Sequence, residues 1–167
     1  MTEEELQKGI KEVAERINQD YAGREVRLIS ILKGGVYFLT ELSKSITLDV
    51  TIDFMSVSSY GSSTESSGVV KIIKDLDDAI EGLDVIIVED IIDSGNTLSY
   101  LKTLLADRGA ASIRIATMLD KPSRRVKPLN TDYSAFVIED KFVVGYGLDY
   151  AQKYRNLPYI GEVVFDK

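Results

Sequence analysis

Val85–Thr97 reads VIIVEDIIDSGNT. Its first four residues are apolar and β-branched, the composition of a central parallel strand buried on both faces. The strand is expected to end in two adjacent acids, Glu89 and Asp90. A third acid, Asp93, follows an apolar pair, and Ser94-Gly95-Asn96-Thr97 opens a helix. Leu98, Leu101, Leu104 and Leu105 give that helix one apolar face as far as Asp107, and Gly109 supplies its stop. Toward the N-terminus, Thr2 and Glu5 form a capping box ahead of Leu6, Ile10, Val13 and Ile17, whose helical spacing predicts an amphipathic helix ending near Gly23. VRLISIL (Val26–Leu32) reads as a buried strand broken by Gly34-Gly35, with a short helix after it. Leu48–Val57 alternates apolar and polar residues as a strand does, and Val69–Ile73 reads as a returning strand. Toward the C-terminus, Ser112–Leu119, Tyr133–Ile138, Phe142–Val144 and Tyr159–Val164 read as strands. They flank a basic loop, Lys121–Asn130, and a Gly145–Gly147 turn. Strands alternating with helices around a β-branched centre predict an α/β fold with a largely parallel central sheet flanked by helices.

Composition narrows the chemistry. The chain has 167 residues, 20 Lys+Arg against 27 Asp+Glu, a formal charge of −7, and no cysteine, histidine or tryptophan. Disulfides, zinc–thiolate sites, cysteine nucleophiles and histidine bases are excluded. A metal, if bound, must be a hard cation on oxygen ligands. The acidic balance disfavours nucleic acid or an anionic membrane as the main partner. No run approaches the ~20 apolar residues of a membrane-spanning helix. The acidic start, MTEEELQKG, does not read as a signal peptide, so a cytoplasmic location is expected. The length suits one domain over 1–167.

At the end of a parallel strand, a loop of small residues feeding a helix offers N–H groups, hydroxyls and a positive dipole end to a phosphate. Adjacent carboxylates upstream can accept from vicinal hydroxyls or bind Mg²⁺. Either piece alone has an ordinary reading, since Ser, Asn and Thr cap helices and acids favour their first turns. Together at one strand end they read as a sugar-phosphate site. No P-loop pattern is present, and Gly145-Tyr-Gly147 lacks the third glycine of a dinucleotide fingerprint. Ser58–Gly68 (SSYGSSTESSG) is the one low-complexity stretch, and by composition alone it reads as a surface hairpin.

VIIVEDIIDSGNT resembles the phosphoribosyl-pyrophosphate signature of type I phosphoribosyltransferases. LKGG (Leu32–Gly35), SSYGSST (Ser58–Thr64), DKP (Asp120–Pro122) and KFVVGYGLDYAQKYRNLPYIG (Lys141–Gly161) resemble, in order, segments of the hypoxanthine-guanine branch. The resemblance implies that fold, with a small hood from the terminal segments and a mobile lid loop. It implies transfer of a 5-phosphoribosyl group from phosphoribosyl pyrophosphate to hypoxanthine or guanine, giving IMP or GMP and pyrophosphate, with Mg²⁺ as cofactor. The implied form is a homodimer or homotetramer, with no nucleic-acid or membrane partner.

Residue by residue, the resemblance makes Asp93 the general base. Glu89, Asp90, Asp93, Ser94, Gly95, Asn96 and Thr97 would bind the phosphoribosyl group. Lys121, Phe142, Val143 and Asp149 would line the purine site, and Lys33, Gly34 and Arg155 would meet pyrophosphate. Glu89, Asp90 and Asp149 would serve the metal, and Ser59 and Tyr60 would belong to the lid. It also implies a cis peptide between Leu32 and Lys33. Without it, Lys121 reads as solvated surface, and Phe142 and Val143 as strand core. Two alternatives stay open: another 6-oxopurine such as xanthine as acceptor, or a non-catalytic regulator that senses phosphoribosyl pyrophosphate. Lys121 disfavours adenine.

Overall fold

The computed structural model of the chain describes residues 1–59 and 70–165. Strands β1 (Val26–Ile31), β2 (Val50–Ser59), β3 (Val70–Lys74), β4 (Asp84–Ile92), β5 (Ser112–Asp120) and β6 (Tyr133–Val137) form one sheet. Its order is β3-β2-β1-β4-β5-β6. Every pairing from β2 to β6 is parallel, and only β3 returns antiparallel, on β2.

Among the described residues, three α-helices cover the sheet: α1 (Glu3–Asp20), α2 (Gly35–Ser45) and α3 (Asn96–Asp107). Alternation along β4 shows how. Ile86 and Val88 pack with α1 and α2, while Val85 and Ile87 pack with Leu98, Leu101 and Leu105 of α3. Both faces of the strand are therefore apolar, as its uninterrupted β-branched run required. The capping box of α1 is present: Glu5 N donates to Thr2 Oγ1 at 3.2 Å and Thr2 N to Glu5 Oε2 at 2.7 Å.

A second, two-stranded sheet joins β7 (Val143–Val144) to β8 (Gly161–Glu162). Met1 and Ile160 exchange hydrogen bonds, N to O, at 2.8 and 3.1 Å, so the terminal segments meet in this hood. The strands expected at Phe142–Val144 and Tyr159–Val164 are shorter here. The glycine turn and the bends between them spend their backbone groups on each other instead of on a ladder.

From β1 the chain crosses through α2 to β2 on one side; from β4 it crosses through α3 to β5 on the other. The connection direction therefore reverses between β1 and β4. In open α/β sheets that reversal leaves a crevice beyond the carboxyl ends of the two strands. Here it brings the Leu32–Gly35 turn beside the Glu89–Thr97 segment.

Candidate active site

A cavity of about 350 Å³ occupies the crevice. Leu32, Lys33 and Gly34 line one wall, Glu89 through Thr97 the other, and Arg155 reaches in from the hood. Ten residues singled out in the sequence thus share one cavity: Lys33, Gly34, Glu89, Asp90, Asp93, Ser94, Gly95, Asn96, Thr97 and Arg155.

One expectation needs correcting. β4 does not end at the acids; it carries them, pairing Glu89 with Thr117 and continuing to Ile92 opposite Asp120. Ladder hydrogen bonds on both sides of the pair therefore hold its backbone rigid. Glu89 and Asp90 are half-buried. Burial first, then the neighbouring charge of Asp90, pushes the Glu89 carboxyl well above its usual range. Burial also raises Asp90, opposed by the hydrogen bond from Ile91 N at 2.8 Å and by the charge of Arg155.

Gly34 is needed for the opposite wall. A Cβ there would lie 1.7 Å from Asp90 Oδ2. The preceding Leu32–Lys33 peptide is cis, as the resemblance implied. Gly147 closes against this turn just as tightly, since its Cβ would meet Gly34 O at 2.2 Å.

Asp93 is exposed at the mouth, 3.6 Å from the Lys121 ammonium. Lys121 is buried rather than solvated surface, at 6% exposure, with Asp140 3.9 Å away on its other side. The helix N-cap is Gly95 in a left-handed conformation (φ 77°), with no side-chain cap bond, so Ser94, Asn96 and Thr97 are not spent as ordinary caps. Asn96 N donates weakly to Ser94 Oγ at 3.4 Å. The loop is instead held from behind. Arg125 Nη1 donates to Asp93 O at 2.9 Å, its other nitrogen pairs with the Asp120 carboxylate, and Val126 N donates to Ser94 O at 2.9 Å.

The other expected residues do not line the cavity. Phe142 is 44% exposed and packs edge-on against Tyr150, with ring centroids 5.7 Å apart, and against Phe165 at 5.9 Å. Val143 pairs with Glu162 in the hood. Asp149 Oδ1 lies 2.9 Å from Arg155 Nη2, and its Oδ2 accepts from Gln152 N at 2.8 Å. Among the described residues, no three acidic side chains gather closely enough to hold a metal by themselves, so Asp149 does not join Glu89 and Asp90 in a cluster. Ser59 ends β2, and its side chain and Tyr60 lie outside the described residues.

Sequence reasoning missed Arg125, Asp140 and Gln152. The first sits in a basic loop whose charges carry no sequence mark of which one turns inward. Gln152 is an uncharged residue with no spacing signal at all.

A family described as the phosphoribosyl transferase domain matches residues 2–151. Over 161 residues the chain is 54% identical to a hypoxanthine-guanine phosphoribosyltransferase of Bacillus subtilis, covering 96% of this chain and 89% of that protein. It is 53% identical over 161 residues to the bifunctional protein TilS/HprT of Listeria innocua, covering 96% of this chain and 25% of that protein. The chain thus spans about a quarter of the length of that relative. A crystal structure of a hypoxanthine-guanine phosphoribosyltransferase from Bacillus anthracis superposes with a TM-score of 0.94 at 49% identity, covering 98% of this chain and 96% of that one. Matched over most of its length in sequence and in fold, the chain belongs to the phosphoribosyl transferase domain family.

Proposed function

We propose that this chain transfers the 5-phosphoribosyl group of phosphoribosyl pyrophosphate to hypoxanthine or guanine, giving IMP or GMP and pyrophosphate. One observation carries the reading. A pair of half-buried acids, a small-residue helix N-terminus and two cations line a single cavity at the switch point of the sheet. Ribose hydroxyls, a 5′-phosphate and a pyrophosphate call for those three kinds of group in that order.

In this reading the purine nitrogen forms the new bond to C1 of the ribose, and the C1–oxygen bond breaks with its electron pair leaving on pyrophosphate. Glu89 and Asp90 accept hydrogen bonds from the ribose hydroxyls. N–H groups from Ser94 to Thr97, with the positive end of α3, hold the 5′-phosphate. Lys33 and Arg155 face the leaving pyrophosphate. Asp93 takes the proton from purine N7; with no histidine in the chain, a carboxylate is the available acceptor. Lys121, fixed between Asp93 and Asp140, donates to the 6-oxo group, which selects against a 6-amino purine. Phe142 stacks on the base, and the Val143 backbone meets its outer edge.

The Glu89–Asp90 pair fits Mg²⁺. Two adjacent oxygen donors, both raised by burial and Glu89 also by the charge of Asp90, would be relieved by a hard cation. When bound, the cation offsets the charge of the departing pyrophosphate. Asp149, tied to Arg155, serves from the hood side. We take the working form to be a cytoplasmic homodimer or homotetramer, for which light scattering is the direct check.

Purified protein with Mg²⁺, phosphoribosyl pyrophosphate and each of hypoxanthine, guanine, xanthine and adenine tests the reading by nucleotide formation. Turnover is expected with hypoxanthine or guanine and not with adenine. Absence of turnover with both hypoxanthine and guanine overturns it. Asp93→Ala should lower kcat by roughly 10²–10⁴ while leaving KM for phosphoribosyl pyrophosphate nearly unchanged, as loss of a proton acceptor does.

A further inference from the structure

Gln152 has no role in the reading above, yet it touches three of its residues. Its Oε1 accepts from Lys33 Nζ at 3.2 Å and from Arg155 Nη2 at 3.3 Å. Its backbone N–H donates to Asp149 Oδ2 at 2.8 Å. Lys33 and Arg155 come from different segments, one on the β1–α2 turn and one on the hood that packs against it. Left alone, two like charges facing each other move apart, and each long side chain has its own rotamer freedom to lose. A single oxygen between them cancels part of that repulsion locally.

The backbone at this point is unusual too. Ala151 and Gln152 both have positive φ, 50° and 66°, a region that non-glycine residues enter at a cost and keep only where surrounding contacts hold them. The Asp149–Gln152 hydrogen bond is one such contact. Another is the Tyr150–Lys153 bridge, with Tyr150 N to Lys153 O at 3.1 Å and Lys153 N to Tyr150 O at 3.0 Å. The turn therefore brings the Gln152 side chain to Lys33.

We propose that Gln152 is a positioning residue for pyrophosphate: its side-chain oxygen holds Lys33 and Arg155 together before the anion arrives. The inference rests on the assignment of those two cations to pyrophosphate. It requires an acceptor at that position and not a particular charge.

The test compares Gln152→Ala, Gln152→Glu and Arg155→Ala in the forward and reverse reactions. Gln152→Ala should raise KM for phosphoribosyl pyrophosphate and for pyrophosphate roughly three- to tenfold, the effect of losing hydrogen bonds between partly exposed groups. KM for the purine and the melting temperature should stay near those of the parent protein. Gln152→Glu, which keeps the acceptor, should restore most of the loss. A Gln152→Ala enzyme with parental constants overturns the proposal. So does one whose purine KM rises equally, or a Gln152→Glu enzyme as poor as the alanine variant. If Arg155→Ala leaves pyrophosphate binding intact, the underlying assignment of the cations fails; if it weakens binding and Gln152→Ala does not, only the role of Gln152 fails.

Discussion

Glu89 and Asp90 are consecutive carboxylates on a strand whose ladder holds them in place, and both are raised by burial, Glu89 also by its neighbour. A raised carboxyl binds more protons in the folded than in the unfolded chain, so it subtracts from stability as pH rises above the ordinary carboxylate range. Glu89→Gln removes that charge. The free protein should gain on the order of 1 kcal/mol at neutral pH, or about 2–4 °C in Tm. The same variant should lose tenfold or more in kcat/KM for phosphoribosyl pyrophosphate, roughly the value of a charge-assisted hydrogen bond. Calorimetry beside steady-state kinetics checks both signs at once; a less stable variant would mean that the pair is not under repulsion. Gly34 lies directly against Asp90. Gly34→Ala places a methyl 1.7 Å from Asp90 Oδ2, so the turn or the acid must move. Displacements near 1 Å in such sites cost roughly 10²-fold in rate, and kinetics on the alanine variant will show whether this turn is as tightly placed as it looks. These two acids were legible in the sequence because their spacing from the β-branched run fixes where they emerge. Lys121 was not, because its burial depends on Asp140, which comes from a loop 19 residues away.

The elements around the site act as clamps. Arg125 reaches from the loop after β5 to the carbonyl of Asp93 and to Asp120 at the end of the same strand. Both side chains of that ion pair are mostly buried. Removing one partner of such a pair leaves the other uncompensated, and Arg125→Met should cost about 3 kcal/mol or more by denaturant unfolding. Adding Asp120→Asn should recover part of it, since a double-mutant cycle on contacting residues is not additive. At the other end of the sheet, the last turn of α1 is fastened by Asp20. Its carboxylate accepts from the Tyr133 hydroxyl at 2.7 Å and pairs with Arg114, and these hold its pKa below the usual 3.8. A lowered carboxyl contributes stability above the unfolded pKa and loses it as pH falls through the folded one. Asp20→Asn should therefore lower Tm by about 1–3 °C at pH 7 and leave the two proteins equal in strong acid. The strands and helices themselves were readable, since β-branched runs and leucine spacing are local signals. The reach of β4 past its acids was not, because ladder bonds to β5 and not local preference extend it. The short β7 and β8 were overread for the same reason: Tyr159 and Val164 are strand-prone residues, yet only Gly161 and Glu162 find a partner.

At the scale of the whole molecule, the cavity has three walls drawn from separate segments of the chain. The β1–α2 turn and the β4–α3 loop belong to the rigid sheet, while Arg155 and Gln152 arrive from the small hood. The hood rests on β7–β8 pairing, on the Met1–Ile160 contact and on Tyr146, Leu148 and Ile160 packed into the core. That convergence is invisible to local reading, because Lys33 and Gln152 lie 119 residues apart in sequence. Without the family resemblance, Lys33 would carry no assignment. A ligand that spans all three walls must lend its binding energy to the fold, since it binds the closed chain and not the unfolded one. At a concentration a hundred times its Kd, such a ligand adds about 2.7 kcal/mol, which for a chain of this size is roughly 5–10 °C in Tm. Phosphoribosyl pyrophosphate with Mg²⁺ should produce this shift, and EDTA should abolish most of it, because the crowded Glu89–Asp90 pair repels an uncompensated polyanion. Arg155→Ala should lessen the shift by weakening the hood wall, whereas Arg16→Ala, on the outer face of α1, should leave it unchanged. An equal shift with and without EDTA would show that the anion is held by Lys33, Arg155 and the α3 N-terminus alone, and would remove the metal from the acid pair.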